Sequence, residues 1–270
     1  MVTEDIIREY EENGAVCLRG VFNNYWVDMA RKGIEKTLAN PSQYSENLKG
    51  PTGPGRYFND YCNWKKIEEL EKFVFESPAA EIVGKLMKSK EVAFYHEHVL
   101  TKEPGTMKET PWHQDQPYYP VDGDKVCSIW LPIDPVSMET TIQFVKGSHQ
   151  TGKWFHPRKF ATANKYEVIN NEEQRIYHTI PDITKETSKD DILKWEVQPG
   201  DCIVFHMLSI HGAPGNTSLT VPRRVLSTRW LGDDAVLATR PWEVSPPITG
   251  GLKPGQRMLC DTFPLVWRAP

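Results

Sequence analysis

A chain of 270 residues, 39% hydrophobic and 25% charged, has an ordinary globular composition and enough length for one good core. A net charge of −4 with dispersed lysines and arginines argues against a nucleic-acid or anionic-membrane partner. The five cysteines are scattered, odd in number and without Cys-x-x-Cys spacing, which argues against a zinc ribbon or disulfide framework and fits a reducing compartment.

The chain opens on MVTEDIIREYEENG, which is charged and has no apolar signal core. No run of about 18 apolar residues occurs, so no membrane-spanning helix is expected and a cytoplasmic location is the simplest account. Residues 3–13 read as a first helix, with Thr3 as N-cap and Gly14 as stop. Residues 15–18 read as a short strand. Residues 24–38 place Trp26, Met29, Ile34 and Leu38 on one helical face. Residues 40–64 are polar, glycine-rich and aromatic, and read as a loop at the mouth of a site; their aromatics and mixed charges are unlike a disordered spacer. Residues 77–88 read as a helix with Pro78 in its first turn. From Val92 to Trp230 strands and turns alternate. A long polar insert at 151–196 interrupts them, of the kind that serves as a lid or binding loop. The tail, 235–270, is rich in proline and tryptophan and is expected to pack along the barrel. No repeat and no second domain is visible, so residues 1–270 read as one domain.

Three residues stand out chemically. His113 and Asp115 lie one residue apart in TPWHQDQPYY, between Pro111 and Pro117, which disfavour helix. On an extended segment an H-x-D pair aims an imidazole and a carboxylate at one point. His211 follows the apolar run Cys202-Ile203-Val204-Phe205, which reads as a buried strand, and precedes a turn marked by Gly212, Pro214 and Gly215. Two imidazoles and a carboxylate make the facial triad that holds non-haem Fe(II) with open positions for oxygen chemistry. His206 on the same strand is a rival for the downstream position; the glycines after His211 favour the latter, because they permit close approach. The bland alternative is a β-rich protein with scattered histidines.

Arg223 opens the alternating segment RRVLSTR, where Arg223, Val225, Ser227 and Arg229 share a strand face. An arginine fork binds a carboxylate bidentately, so Arg223 is the candidate anchor for the far carboxylate of an organic-acid co-substrate, whereas Arg224 reads as a surface residue.

These stretches resemble the phytanoyl-CoA dioxygenase family of Fe(II)/2-oxoglutarate oxygenases. The matching segments are LTKEPGT (100–106), TPWHQDQPYY (110–119), SIWLPIDPV (128–136), IQFVKGSH (142–149), HGAPGN (211–216) and RRVLSTRWLGDD (223–234). The resemblance implies a mainly β fold, a double-stranded β-helix or cupin-like jelly roll flanked by helices. It implies His113, Asp115 and His211 as iron ligands, Arg223 on 2-oxoglutarate, and Gln114, Trp130 and His98 against that co-substrate, with O2 as oxidant. The chain departs from the family pattern at Glu139-Thr140-Thr141-Ile142, at Lys146 and at Ala213. None of these is a metal position, so the departures are expected to bear on substrate identity.

The expected activity is hydroxylation of a small polar or zwitterionic metabolite with release of succinate and CO2. Asp115 fills the position a halide would need, which argues against halogenation. The absence of a concentrated basic run argues against an acyl-CoA. Tyr57, Asn59, Asp60, Tyr61, Tyr118, Tyr119 and Arg229 are the candidate substrate residues, with aromatics facing an amine and Arg229 or Arg56 facing an anion. Against these stand core packing of the tyrosines and pairing of Arg229 with Asp233 or Asp234. Two other functions compete: a non-catalytic jelly roll that binds or senses a small acid, and a cupin-like metalloenzyme that uses no 2-oxoglutarate. Oligomeric state is not legible.

Overall fold

The computed structural model describes residues 2–50, 52–170 and 173–270; Pro51, Asn171 and Glu172, which fall in the expected mouth loop and insert, lie outside it. The N-terminal third alternates helices and strands: α1 (Glu4–Asn13), β1 (Ala15–Leu18), α2 (Asn24–Ala39), β2 (Glu46–Lys49), β3 (Arg56–Tyr61), α3 (Glu68–Glu76), α4 (Ala79–Leu86) and the long β4 (Glu91–Lys102). Then come β5 (Thr110–His113), β6 (Val121–Asp122), β7 (Val126–Pro132), β8 (Gln143–Val145), and the short β9 (Trp154–Phe155), β10 (Tyr177–His178) and β11 (Ile192–Leu193). The last strands are β12 (Cys202–His206), β13 (His211–Ala213), β14 (Arg223–Leu231), β15 (Val236–Leu237) and β16 (Leu265–Arg268).

The large sheet runs β1-β12-β7-β14-β4-β3-β2, with β16 also on β4, and the smaller one runs β11-β8-β13-β5. Together they form the jelly roll. Side-chain alternation explains its two layers. On β7, Cys127, Ile129 and Leu131 join Val204, Leu226 and the helices in one core, while Trp130 points the other way with Ile203, Phe205, Val225 and Phe144 of β8 into the space between the sheets. The helices thus cover the outer face and leave the inner face for a site.

Helix α1 begins and ends as its sequence indicates. The Thr3 side chain accepts from the Ile6 amide, and Gly14 at φ 77° donates its amide to Tyr10. Pro78 precedes α4. The expected loop at 40–64 is corrected: β2 and β3 form a hairpin there, and β3 pairs with β4 in the large sheet. Tyr57 and Asn59 face inward and Phe58 faces the helical core, so a polar inner face hides the usual apolar alternation. Helix α3, with Leu70, Phe73 and Val74 on its buried face, has no counterpart in the sequence reading.

Candidate active site

Strands β5 and β13 are antiparallel neighbours in the small sheet, with His113 opposite His211. That register brings the two imidazoles together, ring centroids 4.1 Å apart. Asp115 does not continue the strand. The extended segment ends at His113, and Asp115 turns into the right-handed helical region, φ −71° and ψ −45°, to open a 3-10 turn. Its Oδ1 still reaches to 3.4 Å from His113 Nε2 and 3.6 Å from His211 Nε2. The three donor atoms lie within 4.8 Å of one another. The tautomers suit a cation. His113 Nδ1 donates to the Pro111 carbonyl (2.7 Å) and His211 Nδ1 to the Ser209 carbonyl (3.0 Å), which leaves both Nε2 lone pairs facing the carboxylate. Burial, then His113, pushes the His211 imidazolium down to about 3, so that ring is neutral. Burial opposes the charge on Asp115, but Arg229 and the two histidines outweigh it and hold the carboxyl well below the usual range. Two imidazoles with Nε2 turned to one point and an ionised carboxylate fit Fe(II).

The far oxygen of Asp115 is held from the large sheet. Ser128 Oγ donates to Oδ2 at 2.8 Å, and Arg229 Nη2 lies 3.4 Å from it. Arg229 also donates to the Tyr119 hydroxyl (3.0 Å) and the Ser227 carbonyl (2.9 Å).

Beside the cluster a narrow cavity runs between the sheets, lined by Tyr57, Lys102, Thr110, Trp130, His211 and Arg223 among others. Arg223 and Lys102 are 5% and 2% exposed, and neither faces a carboxylate among the described residues. Arg223 donates to the carbonyls of Thr140 and Pro214, and Lys102 to those of Ala213 and Pro214. Burial lowers Arg223 to about 10; burial, then Arg223, pulls Lys102 well below the usual lysine value. Two buried basic side chains whose hydrogen bonds among the described residues go only to carbonyls, with the Lys102 amine 4.7 Å from the Tyr57 ring centroid, make a socket for an anion, whose charge would hold the lysine protonated.

On the other side of the cluster lies a wider cavity of about 280 Å³. Tyr61, Tyr118, Tyr119, Phe160 and Tyr166 wall it, His96 and His98 line it from β4, and Glu46, Lys159 and Ser245 also border it. The Phe160 ring, from the insert, packs edge-on against His113 with centroids 5.0 Å apart.

The sequence profile of the phytanoyl-CoA dioxygenase family matches residues 10–225. The chain belongs to that family. As a phytanoyl-CoA dioxygenase family member it is an iron- and 2-oxoglutarate-dependent oxygenase. It is 22% identical over 254 residues to a probable phytanoyl-CoA dioxygenase of Caenorhabditis elegans, with 84% of this chain and 74% of the relative covered. It is 26% identical over 230 residues to the 1-deoxypentalenic acid 11-beta-hydroxylase of Streptomyces exfoliatus, covering 80% of this chain and 75% of that one. Its fold is similar to that of the epimerase SnoN, solved in complex with Fe3+, alpha ketoglutarate and nogalamycin RO: TM-score 0.73, 17% identity, 98% of each chain covered.

Within this family frame the structure distributes the expected site residues as follows. Trp130 and His98 line the narrow cavity; Asn59, Tyr61, Tyr118, Tyr119 and Arg229 line the wide one. Two expectations are corrected, at Gln114 and Asp60. Gln114 lines neither cavity: it points opposite to its neighbours, and its amide is used by the carbonyls of Lys153 and Leu208 and the amide of Phe155. Asp60 likewise faces away, accepting from the Ser42 amide and hydroxyl and the Tyr61 amide. Tyr57 belongs to the narrow cavity, not the wide one. Arg229 bridges to Asp115 rather than to Asp233 or Asp234, which serve Lys125 and nearby amides. His206 lies outside the cluster, with Nε2 donating to the Asp124 carbonyl and Nδ1 accepting from the Leu208 amide. The departures at 139–142 and Ala213 fall beside Arg223 and Lys102, on the narrow cavity. Lys102 was missed, although strand alternation through LTKEPGT would have put it beside Arg223, its register partner on β14.

Proposed function

We propose that the protein is an Fe(II)- and 2-oxoglutarate-dependent hydroxylase of a small polar metabolite, and that residues 1–270 act as one oxygenase domain. His113, Asp115 and His211 are its iron ligands, and Arg223 with Lys102 binds the far carboxylate of 2-oxoglutarate against Trp130, Tyr57 and His98. The observation that carries this reading is the pairing of a three-donor cluster with a buried two-cation socket next to it. A carboxylate compensates those cations; a cupin-like enzyme without 2-oxoglutarate leaves them uncompensated. When bound, iron and 2-oxoglutarate with O2 supply the oxidising chemistry that hydroxylates a C–H bond and yields succinate and CO2.

The chain's own residues bind, orient and shield. Arg229 and Ser128 fix the Asp115 carboxylate. The carbonyls of Pro111 and Ser209 fix the imidazole tautomers. Phe160, Tyr118 and Tyr166 wall off solvent above the cluster. Asp115 supports hydroxylation over halogenation. Lys159 is the one cation without a buried carboxylate partner among the described lining of the wide cavity, which supports a small substrate over an acyl-CoA. Five unpaired cysteines support a reducing, cytoplasmic setting, and no helix among the described residues is long and apolar enough to cross a membrane.

Anaerobic titration with Fe(II) and then 2-oxoglutarate tests the assignment. His211→Ala should abolish iron binding while His206→Ala keeps it. Arg223→Ala should cost on the order of 2–5 kcal/mol of 2-oxoglutarate affinity, far more than Arg224→Ala, whose side chain pairs with Asp134 at 2.6 Å. Equal effects from the two arginines would discard the anchor. Succinate release across a metabolite panel then identifies the substrate.

A further inference from the structure

The mouth of the wide cavity holds a carboxylate that the fold leaves without a cation. Strand β2 is the edge of the large sheet, and its Glu46 lies directly opposite Asn59 of β3. Opposed residues of an antiparallel pair share one face, and Asn59 is on the inner face. Glu46 therefore turns toward the cavity, although it is also exposed to water. The buried Asn59 amide holds it there, with Nδ2 donating to Oε2 at 3.2 Å. Among the described residues Oε1 accepts no hydrogen bond, and no lysine or arginine pairs with this carboxylate.

The other charges around the chamber do not supply the missing cation. Arg229 is taken up by Asp115, Tyr119 and the Ser227 carbonyl. Burial, then Arg229, lowers His96 to about 3 and His98 well below the usual histidine value, so both rings are neutral. Lys159 is exposed on the insert, and it also borders an outer groove of about 360 Å³ that contains Glu167 and Glu243. Chamber and groove share Tyr61, Tyr166 and Ser245 as walls. Glu46, Glu167 and Glu243 thus face these two spaces against the single ammonium of Lys159. Burial, then Tyr61, pushes the Tyr166 phenol up to about 12, and the carboxylates of Glu46 and Glu243 add to that rise. Their field is therefore felt at the shared wall.

We infer that the substrate carries a cationic nitrogen, a protonated amine, which pairs with Glu46 at the β2 side of the chamber. This rests on the reading above that the wide cavity is the substrate chamber. Tyr61, Tyr118 and Tyr166 line the same space, and phenol faces attract a cation as well. A carboxylate or phosphate has Lys159 alone in its favour and three like charges against it. A neutral alcohol can donate to Oε1, but that bond is weaker than one with charge on both sides. Three strand spacings, from β2 through β3 and β4 to β14, separate Glu46 from Arg229, roughly 14 Å along the sheet. The ammonium thus sits clear of Arg229, and the carbon skeleton extends from it toward His113, Asp115 and His211. The bond that reacts lies several atoms from the nitrogen.

The test uses the full chain loaded with zinc in place of iron and with 2-oxoglutarate, so that nothing turns over. The probes are two matched sets: cyclohexylammonium, cyclohexanol and cyclohexanecarboxylate, and hexylammonium, hexanol and hexanoate. Calorimetry should rank an amine at least about fivefold above its own alcohol and acid. Glu46→Gln keeps an oxygen for Asn59 and should bring that amine down to its alcohol. Glu167→Gln and Glu243→Gln act only through the field and should each cost less than about twofold at physiological salt. An alcohol or acid that matches its amine overturns the inference. So does an amine preference that survives Glu46→Gln, an equal loss from all three glutamate variants, or no binding of either amine at millimolar concentration. Metal and 2-oxoglutarate binding are measured first. Their loss defeats the oxygenase assignment, whereas their presence with the wrong ligand ranking defeats only the amine.

Discussion

Arg229 shows how a residue's role depends on its partners rather than its type. In the sequence it reads as a cation for a substrate anion; in the fold it is the counter-charge of a buried carboxylate that faces a metal site. Removing it leaves Asp115 buried with Ser128 alone on its far oxygen. We expect Arg229→Met to weaken Fe(II) binding about 10- to 100-fold, the usual cost of losing an outer partner of a metal ligand. Titration of the metal-free protein checks this, and unchanged affinity would show that Ser128 suffices. Lys102→Met should raise the 2-oxoglutarate Kd about tenfold or more while leaving metal affinity in place, because the second cation of the socket is gone. Calorimetry on the iron-loaded protein in nitrogen reads both. The residue-level errors share a physical source. His113, Asp115 and His211 were legible because metal chemistry demands those types at that spacing. Gln114 lies between two inward residues, so chain alternation turns it away from them, and Asp60 turns away because its segment, which reads as a loop, is the strand β3.

At the scale of elements, three neighbouring strands carry parallel inward rows. Strand β3 offers Tyr57, Asn59 and Tyr61; β4 offers Lys102, His98 and His96; β14 offers Arg223, Ser227 and Arg229. Each row runs from the narrow cavity to the wide one, so the antiparallel register of the large sheet aligns the two cavities across three strands. That arrangement was only half visible in the sequence. The rows on β4 and β14 sit in long strands that also send Val99, Leu226 and Trp230 to the helical core, whereas the short β3 sends only Phe58 there and does not announce itself. The insert, by contrast, was legible as a covering segment from its length and polarity, and it places Phe160 against His113. Phe160→Ala should open the cluster to water. We expect several-fold faster succinate release in the absence of substrate, read by coupled assay, with 2-oxoglutarate affinity little changed. Unaltered uncoupled release would assign the shielding to Tyr118 and Tyr166 instead.

Across the whole molecule, both ends of the chain are tied into one sheet: β1 pairs with β12, and β16 pairs with β4. The β4 strand is the common spine, and its outward face holds a buried acid. Glu97 is 1% exposed and accepts from the amides of Asn63 (2.6 Å) and Trp64 (3.2 Å), anchoring the turn that leads to α3. Burial raises its carboxyl to about 7 in spite of those two donors. A folded-state value above the unfolded one means that the native state prefers the protonated acid. The contribution is therefore complete below about pH 4.5 and is lost as pH rises through about 7. A shift of that size corresponds to on the order of 3 kcal/mol. Three buried histidines work in the opposite direction in the same window. Burial lowers His96 and His211 to about 3 and His206 to about 4, so their share of stability is present above about pH 6.5 and is lost as pH falls toward those values. The wild-type pH profile alone therefore mixes the two effects. Comparison with Glu97→Gln separates them, because glutamine keeps an oxygen for both amides and cannot ionise. From pH 5 to pH 8 the stability of wild type should fall relative to Glu97→Gln, by up to about 3 kcal/mol in denaturant midpoints converted at a common slope. Parallel profiles over that range would mean that Glu97 is already ionised in the folded protein at pH 5, held so by its two amide donors.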